Sequence, residues 1–305
     1  VLGVAAAAAA CGLDLRGGHG DSAGSDAPPD ASSPGDDGGD HRKGDDGGDV
    51  FVDGGGGDDG GGGDGGGGSD AGKDAAASGP LVYLTAATDL WAFDTASRTF
   101  KNLGAIPASC KRGASPLDDL ALDGTGAIYG DSRDNSALFL ATLPLACGPA
   151  MTGGGIPTAL TFVPKGTVNP GKETLVGYSS SSYYEISTTT GSVTLIAGDP
   201  LGAYSASGDA VYGGGKMYVS VVGGNDCNTS DCLYEADPTT GNVGTKVVTF
   251  PVKNVWGLGY GSGKVWAFAN DGNAYQVTLG VAPTVTAITT PGTAWFGAGS
   301  STTNL

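Results

Sequence analysis

The sequence predicts an all-β fold, a β-propeller of about five four-stranded blades, and three observations predict it. Two unrelated sequence markers recur with a shared period of about 46 residues. The first repeat unit holds only three strand-like segments, while the C-terminus holds one to spare. The composition also changes abruptly near Pro80, as though two different polymers were joined there.

The N-terminal stretch "VLGVAAAAAACG" is an apolar run of ten residues before Cys11. That length suits the core of a secretory signal and is too short for a membrane helix. Small residues running into a cysteine resemble the end of a bacterial lipoprotein signal, in which the cysteine is lipidated and becomes the new first residue. Ala8 stands where Leu is more usual, and no basic segment or initiating Met precedes it, so the sequence reads as starting inside a precursor. Residues 1–11 are therefore assigned to the signal, with Cys11 as the lipidation site. The expected location is the bacterial cell envelope, lipid-anchored to a membrane, the outer one by preference, or exported.

Residues 12–79 form the second segment. Up to residue 79 the chain carries 26 of its 58 glycines, 16 of its 32 acidic residues, four of its 15 basic ones and a single aromatic, Phe51. So little apolar surface cannot offset the entropy of ordering the backbone, and a disordered spacer is expected. A Gly-rich coil of this length has a root-mean-square reach of about 45 Å, which repulsion among the aspartates would extend. Such a spacer is what a lipid-tethered domain held off a membrane needs.

Residues 80–305 carry all four Trp, all eleven Tyr, 16 acidic and 11 basic residues, ample for one hydrophobic core. The absence of a basic cluster argues against nucleic acid as a partner. Glycine turns leading into apolar strands recur at Gly79, Gly126, Gly171, Gly215 and Gly263. Aromatic strands running into polar turns recur at Trp91, Phe139, Tyr184, Tyr234 and Tyr275. Each unit reads as four short strands separated by turns, the signature of a propeller blade. In the fourth unit these are "YSASGDAV", "KMYVSVV", "CLYEADP" and "NVGTKVVTF". The near-copies "YYEISTTTGSV" and "LYEADPTTGNV", about fifty residues apart, are the hairpin between the third and fourth strands of two successive units: Ser187 or Asp237 accepts a backbone N–H two residues on, and Gly191 or Gly241 supplies a positive φ.

Ring closure follows from the strand count. The first unit offers "LVYLTAA", "LWAFDT" and "TFKNLGAI", and the spare "AWFGAGSSTT" at 294–303 is similar to the inner strand "VWGLGYGSG". The C-terminal strand should therefore complete the first blade and leave few free edges. Five blades result, or six if the stretch from Cys147 to Gly171 hides another hairpin. Four cysteines in the propeller allow three pairings. "CNTSDC" makes Cys227–Cys232 a hairpin staple and leaves Cys110–Cys147 to tie the loop after blade one to the far side of blade two.

Both histidines, His19 and His41, precede residue 80. The propeller therefore lacks Ser-His-Asp and Cys-His machinery and His-ligated zinc. Asp118 and Asp119 are adjacent on an inner strand, so their side chains should point to opposite faces and cannot form a facing catalytic pair. Either could enter the central channel with Asp209, Asn254, Trp256 and Trp295, and these six residues form the candidate ligand site. Lactonase-like propellers hold calcium with Asp and Asn placed in this way, which makes Asp118, Asp119 and Asn254 the candidate Ca²⁺ ligands; no other cofactor is expected. The tryptophans are otherwise expected to pack between blades, with Trp256 and Trp295 the two suited to a channel mouth.

The run "LVYLTAATDLWAFDTASRTFKNLGAI", followed by "LALDGTGAIYG", "ETLVGY", "YYEISTTTGSVTLIAG" and "LYEADPTTGNV", resembles a group of β-propeller lipoproteins of myxobacteria and their relatives. Those proteins also carry low-complexity spacers after a lipid-modified cysteine. The resemblance implies the fold and the anchor but no reaction. The functional expectation is a surface-anchored, non-enzymatic, monomeric module that binds a protein or glycan at the cell surface. The alternative is a Ca²⁺-dependent propeller hydrolase or lyase with its site in the channel.

Overall fold

A computed structural model of the chain describes residues 79–303. The expectations for Cys11, the spacer and the two histidines fall on residues 1–78, outside the described residues.

The described residues form five four-stranded antiparallel sheets. Blade one comprises β1 (Leu81–Ala86), β2 (Asp89–Asp94) and β3 (Thr99–Ala105), with the C-terminal β20 (Trp295–Ser300) as its innermost strand. Blade two runs outward as β4 (Leu117–Leu122), β5 (Ile128–Ser132), β6 (Leu138–Thr142) and β7 (Ala146–Cys147). Blade three is β8 (Ala159–Val163), β9 (Thr174–Ser179), β10 (Ser182–Ile186) and β11 (Val193–Ala197). Blade four is β12 (Tyr204–Gly213), β13 (Lys216–Gly223), β14 (Cys227–Ala236) and β15 (Val243–Thr249). Blade five is β16 (Val255–Gly261), β17 (Lys264–Ala269), β18 (Ala274–Thr278) and β19 (Thr284–Ile288). The inner strands β20, β4, β8, β12 and β16 neighbour one another in that cyclic order, so the protein is a five-bladed propeller. The stretch from Cys147 to Gly171 contributes β8 alone, and no sixth blade forms.

Closure takes the expected form. β20 pairs antiparallel with β1, placing Tyr83 opposite Gly299 and Leu84 opposite Ala298. Its Trp295 then enters the seam between blades one and five, stacking on Phe100 at 5.4 Å and meeting Trp91 edge-on at 5.8 Å. Phe93, Trp266 and Phe268 complete an aromatic cluster there, with Trp266 and Trp295 fully buried. Side chains that each bury 150–250 Å² make this seam a large hydrophobic contribution at the point where the chain ends must meet. Leu122 also bridges Ser301 in parallel, and the Ser301 hydroxyl donates to the Asp123 carbonyl at 2.8 Å, joining blade one to blade two.

The repeated hairpin has a second role between blades. Asp237 Oδ1 accepts the Thr239 N–H at 2.8 Å, and Gly191 and Gly241 adopt φ of 72° and 74°. The turn so formed in blade four is clasped by blade three. Tyr178 donates its hydroxyl to the Gly241 carbonyl at 2.7 Å, and Tyr183 donates to the Pro238 carbonyl at 2.9 Å. A Cβ on Gly241 would stand 2.5 Å from the Tyr183 ring, so the turn glycine is required by packing as well as by φ.

Both disulfides pair as the spacing predicts, Cys110 with Cys147 and Cys227 with Cys232. Cys110 ends a short 3₁₀ turn at Ala108–Cys110 and is fully buried among Leu117, Ile128 and Phe139, fastening the two-residue β7 to the blade. It closes a loop of 37 residues against five for the other bond. On a chain-entropy account, replacing Cys110 and Cys147 with Ala should cost about 4 kcal/mol, and replacing Cys227 and Cys232 about 2 kcal/mol. Chemical denaturation of the two double variants would read this ordering, and an equal or inverted cost would contradict it.

Candidate functional site

The inner strands are the edges of their sheets, so each presents backbone N–H groups toward the axis, where no neighbouring strand can pair them. Two carboxyl groups receive them. Asp119, from β4, accepts the N–H of Leu120 and, at 2.6 Å, that of Leu160 in blade three. Asp209, from β12, accepts the N–H groups of Ala210, of Leu258 in blade five and of Ala298 in blade one. One amide from each of the five blades is thus satisfied by two side chains from blades two and four.

The other three inner strands offer no bulk at this level. Ala159, Gly257 and Gly297 occupy the positions before Leu160, Leu258 and Ala298. A Cβ on Gly297 would lie 2.5 Å from the Asp118 carbonyl and 2.7 Å from Asp119 Oδ1. Glycine is what lets the carboxyl sit there.

Asp119 and Asp209 are buried to 2% and 0% exposure and hydrogen-bond to each other. Burial, above all, raises both above the usual carboxylate range, and the charge of Asp209 raises Asp119 further; the strand amides pull both in the opposite direction. Two carboxyls in contact in a dry site cannot both ionise, so they hold a proton between them. Asp131, fully buried on β5, is raised by burial and by the charge of Asp118, and its Oδ1 accepts the Asp119 N–H at 2.7 Å. Ser220 has the matching place in blade four, its hydroxyl accepting the Asp209 N–H at 3.2 Å and donating to the Val255 carbonyl at 3.0 Å.

One residue toward the mouth, four of the five inner strands bulge. Pairing skips between Leu117 and Leu120 on β4, Ala206 and Ala210 on β12, Val255 and Gly257 on β16, and Trp295 and Gly297 on β20. Bulges re-aim the extra residue, and the residues displaced here are Asp118, Ser207, Gly208, Trp256 and Phe296. With Thr158 they line a well of about 230 Å³ at the end of the channel, to which every blade contributes. The Trp256 and Phe296 rings lie 5.9 Å apart at 40°, both half-buried. Arg133 places its guanidinium carbon 3.9 Å from the centre of the Phe296 ring and donates Nε to Asp118 Oδ1 at 3.3 Å. Burial raises Asp118, and the Arg133 charge partly opposes that. A Cβ on Gly208 would stand 2.6 Å from Trp256 Cα, so this glycine clears the place that Trp256 occupies.

The six sequence candidates therefore divide among different environments. Asp118 and Trp256 line the well, whereas Asp119 and Asp209 pair beneath it. Trp295 does not reach the channel: it faces away from its bulged neighbour Phe296 and is buried in the seam between blades. Asn254 precedes β16 with φ of 59°, its carbonyl accepting the Asn270 N–H, and it is not part of the well lining. Phe296, Thr158, Ser207 and Arg133 were not selected from the sequence. The signal for Phe296 was its position beside Trp295 on the spare strand; the others carry none.

The Ca²⁺ set Asp118, Asp119 and Asn254 does not fit this geometry. Ca²⁺ takes six to eight oxygens, yet both Asp119 oxygens accept strand amides and Asp118 faces a guanidinium. Among the described residues, the one close group of three His, Cys, Asp or Glu side chains is Asp226, Cys227 and Cys232, whose sulfurs are joined as a disulfide.

No protein-family model and no curated protein matches the chain. Among solved structures it is similar to one from a nidogen/laminin complex, at 10% identity over 72% of this chain and 98% of that one, with a TM-score of 0.44. It is also similar to an α-L-arabinofuranosidase of Clostridium thermocellum, at 10% identity over 68% and 85% of the two chains, with a TM-score of 0.46. Similarities of this size carry no argument.

Two expectations follow from the paired carboxyls. A raised carboxyl contributes stability that is complete below its unfolded pKa of about 4 and is lost as pH rises through its folded value. Asp209→Asn removes that titration, so its melting temperature relative to wild type should climb as pH increases from about 4 to 8. Asp209→Ala, which strands several buried N–H groups, should cost about 3 kcal/mol or more at any pH. A pH-independent difference for the Asn variant would mean that the pair carries no shared proton. Titrating the chelator-treated chain with Ca²⁺ should give no binding heat at the channel, the same in wild type and Asp119→Asn; a stoichiometric heat lost in the variant would reverse the assignment.

Proposed function

We propose that this chain is a recognition module of the bacterial cell envelope. It is lipid-anchored through Cys11, preferentially in the outer membrane, carried on the Gly/Asp-rich segment 12–79, and binds a protein or a glycan without transforming it. The observation that carries this reading is the well at the channel mouth, where five blades contribute half-buried aromatic and polar side chains to one concavity. Concave sites of mixed aromatic and polar lining, built on rigid strands, are suited to recognition.

The carboxyls support binding over hydrolysis. Asp119 and Asp209, which do converge, spend their oxygens on strand amides and lie beneath the well floor, leaving Asp118 as the carboxyl at the mouth. Acid–base hydrolysis of a glycosidic bond needs two carboxyls flanking the bond. With no histidine beyond residue 41, no neutral-pH base stands in for the second.

The test has two arms. In the producing cell, wild-type protein should incorporate a labelled fatty acid and sediment with membranes, whereas Cys11→Ser should do neither. The soluble Cys11→Ser chain, added back to purified envelope fragments, should be retained, and additional Trp256→Ala should reduce that retention by about tenfold, the loss of one good aromatic contact. Equal retention of both chains would remove the well from the function, and soluble wild-type protein would remove the anchor.

A further inference from the structure

The well's chemistry narrows the ligand, on the premise that it is a binding site. Its aromatic wall is Trp256 with Phe296, tilted at 40° and half-exposed, so each ring can offer part of a face to a flat apolar partner. Around that wall the polar groups are hydroxyls and one carboxyl: Thr158, Ser207 and Asp118. Thr158 Oγ1 has no hydrogen-bond partner among the described residues, and Asp118 engages Arg133 through Oδ1 alone, leaving Oδ2 as an acceptor. Asp118 and Arg133 also offset each other's charge, so the mouth carries no excess positive charge to attract an anion. The volume of about 230 Å³ is below that of a drug-sized pocket and suits one six-membered ring, not an extended chain.

We infer that the well takes the terminal pyranose ring of an uncharged glycan, its C–H face against Trp256 and Phe296 and its hydroxyls on Asp118 Oδ2 and Thr158 Oγ1. A sugar ring is the ligand class that combines an apolar face with a rim of hydroxyls which both donate and accept. An anionic sugar is disfavoured because Asp118 lies at the mouth and offsets the charge of Arg133, the nearby cation, whose Nε donates to it and whose guanidinium stacks on Phe296. A peptide side chain would use the aromatic wall but would leave the Asp118 and Thr158 groups without partners, which costs affinity in a partly dry site.

The experiment uses the soluble full chain, Cys11→Ser, with methyl glycosides of glucose, galactose, mannose, xylose and N-acetylglucosamine as probes, followed by tryptophan fluorescence and calorimetry. At least one should bind saturably with a Kd in the millimolar range or tighter, as one ring with few contacts allows. Trp256→Ala should weaken that binding by about tenfold or more, and Asp118→Asn and Thr158→Val, which keep side-chain shape and spare the core, by about three- to tenfold each. Glucuronic acid should bind more weakly than the methyl glucoside.

Two results would overturn the inference in distinguishable ways. If no glycoside binds up to about 50 mM while peptides selected from a random library bind wild type and fail on Trp256→Ala, the well is a binding site for protein and the sugar assignment is wrong. If neither class responds to Trp256→Ala while the variant melts like wild type, the well is not a binding site and the reading beneath the inference fails with it.

Discussion

Five sheet edges that meet on one axis create a single problem, and the geometry of this molecule is organised around its solution. Edge strands carry unpaired amides, and an axis too narrow for a further strand cannot pair them. Here Asp119 and Asp209 accept one N–H or more from every blade, and they share a proton because two buried carboxyls in contact cannot both ionise. Everything near the axis has to yield to that pair. Gly297 lacks a side chain so that Asp119 fits, while Asp131 and Ser220 receive the amides of the two aspartates themselves.

The same constraint builds the well. A strand that turns an Asp into the axis departs from regular pairing just before it, and the departures are the bulges of β4 and β12. Bulges in β16 and β20 stand at the same level. The displaced residues, among them Asp118, Ser207, Trp256 and Phe296, then line the mouth above the floor that the carboxyl pair forms. A rigid, satisfied floor keeps the side chains above it in fixed relation, which is what a small recognition site on strands requires. Asp119 in the floor and Asp118 at the mouth thus sit at adjacent positions within the bulge of β4.

Around the rim the blades are held by two different devices. Blade four docks on blade three through its Asp-Pro-Thr-Thr-Gly turn, gripped by the hydroxyls of Tyr178 and Tyr183. Blades one and five, which the chain must join without covalent continuity, are held by the most aromatic seam of the ring, with Trp91, Trp266 and Trp295 in it. Association of chain ends costs loop-closure entropy that a local hairpin does not, and the larger buried aromatic surface offsets it.

Much of this was legible in the residues. The five blades, the hairpin turns with Gly191 and Gly241 and both disulfides follow from period, turn chemistry and cysteine spacing, because these depend on neighbours within about 50 residues, and the closure by residues 294–303 follows from counting strands, three in the first unit and one to spare at the end. That Asp118 and Asp119 are neighbours on an inner strand was legible too, but the bulge between Leu117 and Leu120, and not the two-residue period of a regular strand, sets their different environments. What only the tertiary structure decided is which residues meet across the axis. Asp119 finds Asp209 from a blade two positions away, Asn254 stays out of the well, Trp295 turns into the seam, and its neighbour Phe296 turns into the mouth. The physical reason is the bulge: one extra residue reverses the direction of a side chain without leaving a local mark in the sequence. Its placement is dictated by the need of distant strand edges for acceptors.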